Sequence, residues 1–163
     1  MIRLATTADA AAIATIYNHY VSSSTITFEE QMVGSDEMAQ RIASVGAQLP
    51  WYVFERDGVI LGYAYATPWR ARSAYRFSVE STVYVAHACV GQGVGRQLYS
   101  VLIDDLRQLQ LQVVIGGIAQ PNDASVALHE RLGFEQVAMF KRVGRKFDRW
   151  IDVGYWELQL QDE

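Results

Sequence analysis

Residues 79–96 read VESTVYVAHACVGQGVGR. An alternating run of β-branched and aromatic residues predicts a strand over 77–85. Three glycines at every second position follow: Gly91, Gly93 and Gly95. Val94, Leu98, Leu102, Leu106 and Leu109 then recur at helical spacing and predict a helix over 94–109. Taken alone, the glycines fit a plain tight connection as well as they fit a binding loop. Their placement favours the loop. Successive backbone N–H groups at a helix N-terminus form an anion nest backed by the helix dipole. Gln92 and Val94 lie within that nest, and Arg96 adds a cation at its edge.

The nest matches neither common nucleotide pattern. Arg96 holds the slot of the third dinucleotide-fold glycine, and the stretch about 20 residues on is apolar where a ribose-binding acid would stand. No Gly-Lys-Ser/Thr is present either, which excludes a nucleotide P-loop. A nucleotide-like cofactor that is neither NAD nor ATP remains, and coenzyme A fits.

Upstream, 2–5 reads as a short strand and 7–22 as a helix carrying Ile13, Ile16, Tyr17 and Tyr20 on one face. The stretch at 22–31 is a loop, β-prone at 25–28, and a second helix runs from Ser35 to near Gly46. The runs 51–55 and 59–67 flank Arg56-Asp57-Gly58, a hairpin signal because Gly accepts the positive φ of the turn. Downstream, 112–118 is an uninterrupted apolar run and predicts a strand buried on both faces. A helix starts at Pro121-Asn122-Asp123 and ends at Gly133. Strands over 134–143 and 153–160 follow, joined by a basic loop, GRKFDRW. The order is that of a single mixed α/β domain over 1–163.

Composition removes several function classes. A net charge of −4 gives no general pull toward nucleic acid or anionic membrane. One cysteine excludes an internal disulfide, and the three histidines lack the paired spacing of a zinc site, so no metal is expected. No apolar run reaches the roughly 20 residues that span a bilayer, and no secretory h-region is visible. A cytoplasmic protein is the expectation.

The chemistry-bearing candidates lie around the nest. Alternation places Glu80, Thr82 and Tyr84 on one face of their strand and Val79, Ser81, Val83 and Val85 on the other. A carboxylate inside such a strand is costly unless paired, so Glu80 is either a general base or one half of an ion pair with Arg72 or Arg76. His129 shares a helix face with Ser125 and suits a proton donor or relay, or a satisfied core position. Asn122 is a helix N-cap, a ligand contact, or both. Arg70, Arg72, Arg145, Lys146 and Arg149 form two basic loops in an acidic chain, either as anion readers or as a solvated face. Phe28, Trp69, Tyr75 and Trp150 could wall a pocket between them or belong to the core.

Read together, VYVAHACVGQGVGRQLY (83–99) and PNDASVALHERLGF (121–134) resemble the acetyl-CoA-binding motif and the second signature of the GNAT N-acetyltransferases. IYNHYVSSSTITF (16–28), AYATPWRARSAYRFSVESTVYV (64–85) and VGRKFDRWIDVGYWEL (143–158) extend the likeness to the phosphinothricin N-acetyltransferases, over nearly the whole chain. One departure is Val90, where the motif opens with Gln or a basic residue. The resemblance implies a GNAT fold: a mostly antiparallel sheet of about seven strands, about four helices, and a splay between the fourth and fifth strands. It implies acetyl-CoA as co-substrate, held by Val83, Tyr84 and Val85, by 91–96, and by Asn122 and Ser125. Glu80 and His129 become the catalytic pair, and Phe28, Trp69, Arg72, Tyr75, Lys146 and Trp150 the substrate side. A small amine such as phosphinothricin or methionine sulfoximine or sulfone is the implied acceptor, and a homodimer the implied assembly. An acetyltransferase for protein N-termini or other small amines is the alternative within enzymes. A non-catalytic acyl-CoA-binding module is the alternative outside them.

Overall fold

The computed structural model describes residues 1–162. Its elements in chain order are β1 (Ile2–Leu4), α1 (Ala10–Ser23), α2 (Ser35–Gly46), β2 (Trp51–Arg56), β3 (Val59–Pro68), β4 (Ser78–Val85), α3 (Val94–Gln108), β5 (Val113–Ala119), α4 (Asp123–Arg131), β6 (Glu135–Lys146) and β7 (Arg149–Gln159). The strands form one seven-stranded sheet in the order β1-β2-β3-β4-β5-β7-β6. Every pairing is antiparallel except β4 with β5. This is the mixed fold that the element order and the resemblance imply.

Two apolar layers sandwich the sheet. Ile13, Tyr17, Val21, Met38 and Ile42 of α1 and α2 pack on one face with Trp51, Val53 and Tyr63. Leu98, Leu102 and Leu106 of α3 pack on the other with Val79, Val114 and Trp156. α3 buries Val94, Leu98, Leu102 and Leu106 of the stripe read from the sequence, whereas Leu109 lies just past its end and is 50% exposed.

The decisive feature is the parallel pair. β4 and β5 are in register only over Ser78↔Val113, Val79↔Val114 and Glu80↔Ile115, and beyond Glu80 they diverge. The splay changes one expectation about β5. Its run is not buried on both faces: Val113 and Ile115 are half-buried and Gly117 is exposed. Where β4 leaves, that face of β5 turns into an opening instead of a core.

A second difference lies in GRKFDRW, which is not a loop. β6 and β7 continue to Lys146 and Arg149, and only Phe147-Asp148 turns, both with positive φ (52° and 57°). That is a two-residue hairpin built without glycine, so the usual sequence signal for it is missing. β6 also carries irregularities between Gln136 and Ala138 and between Phe140 and Gly144, which bend the hairpin.

Candidate active site

The splay opens a cavity of about 430 Å³. β4 forms one wall and β5 the other, with α4 at the base and the α1–α2 segment and β6 above. Glu80, Thr82, Val83 and Tyr84 project from β4, Asn122, Ser125 and His129 from α4, and Phe28 from the α1–α2 segment. Seven sequence-nominated residues are thereby brought together: Phe28, Glu80, Val83, Tyr84, Asn122, Ser125 and His129.

Glu80 is half-buried. Among the described residues its carboxylate has no hydrogen bond or ion pair, so neither Arg72 nor Arg76 is its partner. Burial raises its pKa, and the positive field of Arg70 opposes that shift. Arg70 itself stacks on Trp69, 4.0 Å from the ring, and Trp69 meets Tyr155 of the cavity wall edge-on at 5.7 Å.

The main chain of β4 supplies a second feature. The Ala86 N–H bonds the Leu61 carbonyl at 2.8 Å, so alternation turns the even residues of β4 toward β3. Val83 and Val85 therefore turn their N–H and C=O groups to the splayed side, where β5 no longer answers them. One of these groups is taken, because the Tyr20 hydroxyl donates to the Val85 carbonyl.

His129 is almost wholly buried, at 3% exposure, and its ring lies against bare backbone at Gly116. A Cβ at Gly116 would stand 2.6 Å from Nε2, so only glycine admits the ring there. His129 Nδ1 lies 2.7 Å from the Ser125 carbonyl, which can only accept, so Nδ1 carries the proton. Nε2 is then a lone pair 3.2 Å from the Tyr99 hydroxyl, which in turn lies 3.1 Å from Ser81 Oγ. The chain runs from Ser81 through Tyr99 to His129. Burial lowers the His129 pKa and pushes the Tyr99 phenol well up, so both groups rest neutral. Tyr99 and Ser81 are functional candidates that the sequence does not single out: Tyr99 lies off the leucine stripe of its helix, and Ser81 shares a strand face with three valines.

The glycine loop stands beside this cavity rather than in its wall. Gly91 and Gly93 hold φ of +82° and +79°, and Gly93 caps α3 in the left-handed region. Neither would meet a clash from a Cβ, so conformation, not space, demands glycine. Gly95 differs, since a Cβ there would touch Leu128 and Val85 at 3.5 Å. Asn122 caps α4 by accepting the Ser125 N–H at 3.2 Å.

The remaining nominees lie elsewhere. Arg72 and Tyr75 are exposed around a short turn at Ser73–Tyr75, and Trp150 is 61% exposed on the β6–β7 hairpin. Lys146 is buried, and its ammonium donates to the Thr27 carbonyl at 2.8 Å. None of the four lines the cavity. Among the described residues no cluster of three metal-ligating side chains occurs, and no helix is long and apolar enough to cross a membrane.

A splayed mixed sheet, an N–H nest at the helix following the open strand, and a half-buried carboxylate on that strand define an acyl-transfer class. The chain belongs to the acetyltransferase (GNAT) domain family, whose model matches residues 2–154. It is 46% identical over 154 residues to a phosphinothricin N-acetyltransferase of Alcaligenes faecalis, covering 93% of this chain and 78% of the relative. It is 41% identical over 165 residues to the L-methionine sulfoximine/L-methionine sulfone acetyltransferase of Salmonella typhimurium, covering 99% and 95%. The fold superposes with a TM-score of 0.97 on a Salmonella typhimurium protein solved with its cofactor acetyl-CoA, 39% identical, over 100% of this chain and 95% of that one.

Proposed function

We propose that this acetyltransferase moves the acetyl group of acetyl-CoA to the α-amine of a small amino-acid analogue of the phosphinothricin or methionine sulfoximine/sulfone type. The observation that carries the reading is Glu80: a half-buried carboxylate in the splay cavity, without a partner among the described residues, beside open main-chain N–H groups.

The donor set suits acetyl-CoA. The nest over 91–96 offers N–H groups and Arg96 to a pyrophosphate, and the unanswered edge of Val83 and Val85 suits an extended amide chain. Asn122 and Ser125 line the other side. Val90 supplies no side-chain donor, so the backbone provides most of the phosphate contacts. When bound, acetyl-CoA supplies an activated thioester.

Glu80 takes the proton of the substrate ammonium, directly or through a water. Its raised pKa narrows the gap to an aliphatic amine and makes it a better acceptor than an exposed carboxylate. The fixed N–H groups of Val83 and Val85 face the side on which negative charge develops, and they need no reorganisation to meet it. In the tautomer fixed by Ser125, His129 has no proton on Nε2 to give. Nε2 instead accepts the Tyr99 O–H, so His129 orients that phenol, and Ser81, Tyr99 and His129 line the cavity together. Arg70, which stacks on Trp69 and whose field reaches Glu80, reads the acidic end of the substrate, with Arg72 on the same exposed loop as a second cation outside the cavity wall. A homodimer is part of this reading, supported by apolar Val137, Phe140 and Val143 exposed on the edge strand β6.

The test is a panel of amines with purified protein and acetyl-CoA, read as thiol release. Turnover of phosphinothricin and methionine sulfoximine, above simple amines lacking an acidic group, is the expected result. Turnover confined to peptides with a free N-terminus would move the assignment to protein acetylation. Acetyl-CoA binding without release for any amine would leave only a binding module.

A further inference from the structure

The β6–β7 hairpin holds one wall of the cavity at two points. Thr27 and Phe28, between α1 and α2, line the cavity together with Glu80 and Thr82. The Lys146 ammonium, at the end of β6, donates to the Thr27 carbonyl at 2.8 Å. Gly144 lies two residues earlier, on the same face of β6, and the Phe28 ring rests against it. A Cβ at Gly144 would overlap that ring. From the opposite side, the Tyr17 hydroxyl of α1 meets Thr27 Oγ1 at 2.8 Å. The Thr27-Phe28 pair is thus pinned between a helix and a hairpin distant in sequence.

Lys146 is 1% exposed. Lysine is almost never buried so completely unless its charge is answered. Here the Thr27 carbonyl and the negative fields of Glu29 and Glu30 answer it, all three from the α1–α2 segment. A residue so enclosed is out of reach of a substrate anion. Its neighbours on the hairpin, Phe147 and Trp150, are exposed, so the burial is particular to this side chain.

We infer that the hairpin is a clasp for the amine side of the cavity. Lys146 and Gly144 are positioning residues that set where Phe28 stands, and so which amines fit, and Lys146 does not read the substrate. The kinetic consequence rests on the acetyltransferase reading above, whereas the structural one stands without it.

Two variants and two measurements test the clasp. Lys146→Met keeps the stem and removes the donor, and Gly144→Ala pushes on Phe28. Amide hydrogen exchange needs no substrate: residues 25–29 should exchange at least about tenfold faster in Lys146→Met, with α3 and β5 unchanged. In turnover, the amine KM should rise about tenfold for acidic and neutral amines alike, while the acetyl-CoA KM and the acidic limb of the pH profile stay in place. Gly144→Ala should change the ratio of kcat/KM between short and long amino-acid side chains. Unchanged exchange at 25–29 would overturn the clasp. So would a loss confined to acidic amines, which would make Lys146 a substrate reader, or a rise in both KM values with a general loss of protection. If the wild type acetylated no amine, the functional reading would fall, and the exchange experiment would still decide the clasp.

Discussion

Glu80 and His129 have opposite pH behaviour, and burial causes both. Burial raises the Glu80 pKa, so its activity as a base should fall away above the usual carboxylate range as pH drops. Glu80→Gln keeps the shape and cannot accept a proton. It should lower kcat by roughly 10²–10⁴-fold and erase the acidic limb while acetyl-CoA still binds. A raised folded pKa also means that ionised Glu80 costs stability above that value, so Glu80→Gln should not melt below the wild type at neutral pH. For His129 the sign reverses. Its folded pKa is lowered, so the unfolded chain binds more protons, and stability is lost as pH falls from about 6.5 toward the folded value. Tyr99→Phe separates the hydrogen-bond chain from packing. The ring still fills the core, but Nε2 loses its donor, at a cost of about 1–3 kcal/mol. Melting curves and pH–rate profiles of this variant should show a modest loss of stability together with a shifted profile. A profile identical to the wild type would make the Ser81–Tyr99–His129 chain purely structural.

At the scale of elements, the sequence exposed those parts whose signals are local. α3 has its stripe, β4 its alternation, and the β2–β3 turn its glycine, and all three stand where periodicity placed them. The parts it hid depend on other elements. The open face of β5 exists because β4 diverges after Glu80, and no property of 112–118 states that. The β6–β7 turn hid because Phe147 and Asp148 adopt positive φ without glycine. Nothing local marks Tyr99 and Ser81, because their link to His129 depends on Gly116 admitting the imidazole ring. That fit gives a prediction: Gly116→Ala should destabilise the protein by about 1–3 kcal/mol in chemical denaturation and displace His129. The loop before β4 gives another. Losing a charge-assisted pair there should cost about 1.5–3 kcal/mol, or roughly 10- to 100-fold in kcat/KM. Arg72→Ala should impose that loss on phosphinothricin and spare an amine of similar size without acidic groups. An equal loss on both would make Arg72 a support of the loop.

For the molecule as a whole, the splay divides the sheet into two parts joined through only three residue pairs of β4 and β5. β1, β2, β3 and β4 carry α1 and α2 on one face and α3 on the other, and β5, β7 and β6 form the other part, with α4 against β5. A ligand that engages the open edge of β4, the nest at α3 and the start of α4 would bridge both parts and supply contacts where the sheet has none. Acetyl-CoA should therefore stabilise the fold more broadly than a surface ligand. At about 100 times its Kd the linkage contribution is about 2.7 kcal/mol, which for a chain of this size raises Tm by roughly 5–10 °C. Hydrogen exchange should slow on both sides of the splay, at 83–86 and at the N-termini of α3 and α4. Gly93→Val should abolish the Tm shift, because a β-branched residue cannot hold φ near +79° at the mouth of the nest. Absence of a shift at millimolar acetyl-CoA would count against the cofactor. Protection at the nest alone would mean that the ligand sits on one half, and that the unpaired edge of Val83 and Val85 serves another purpose.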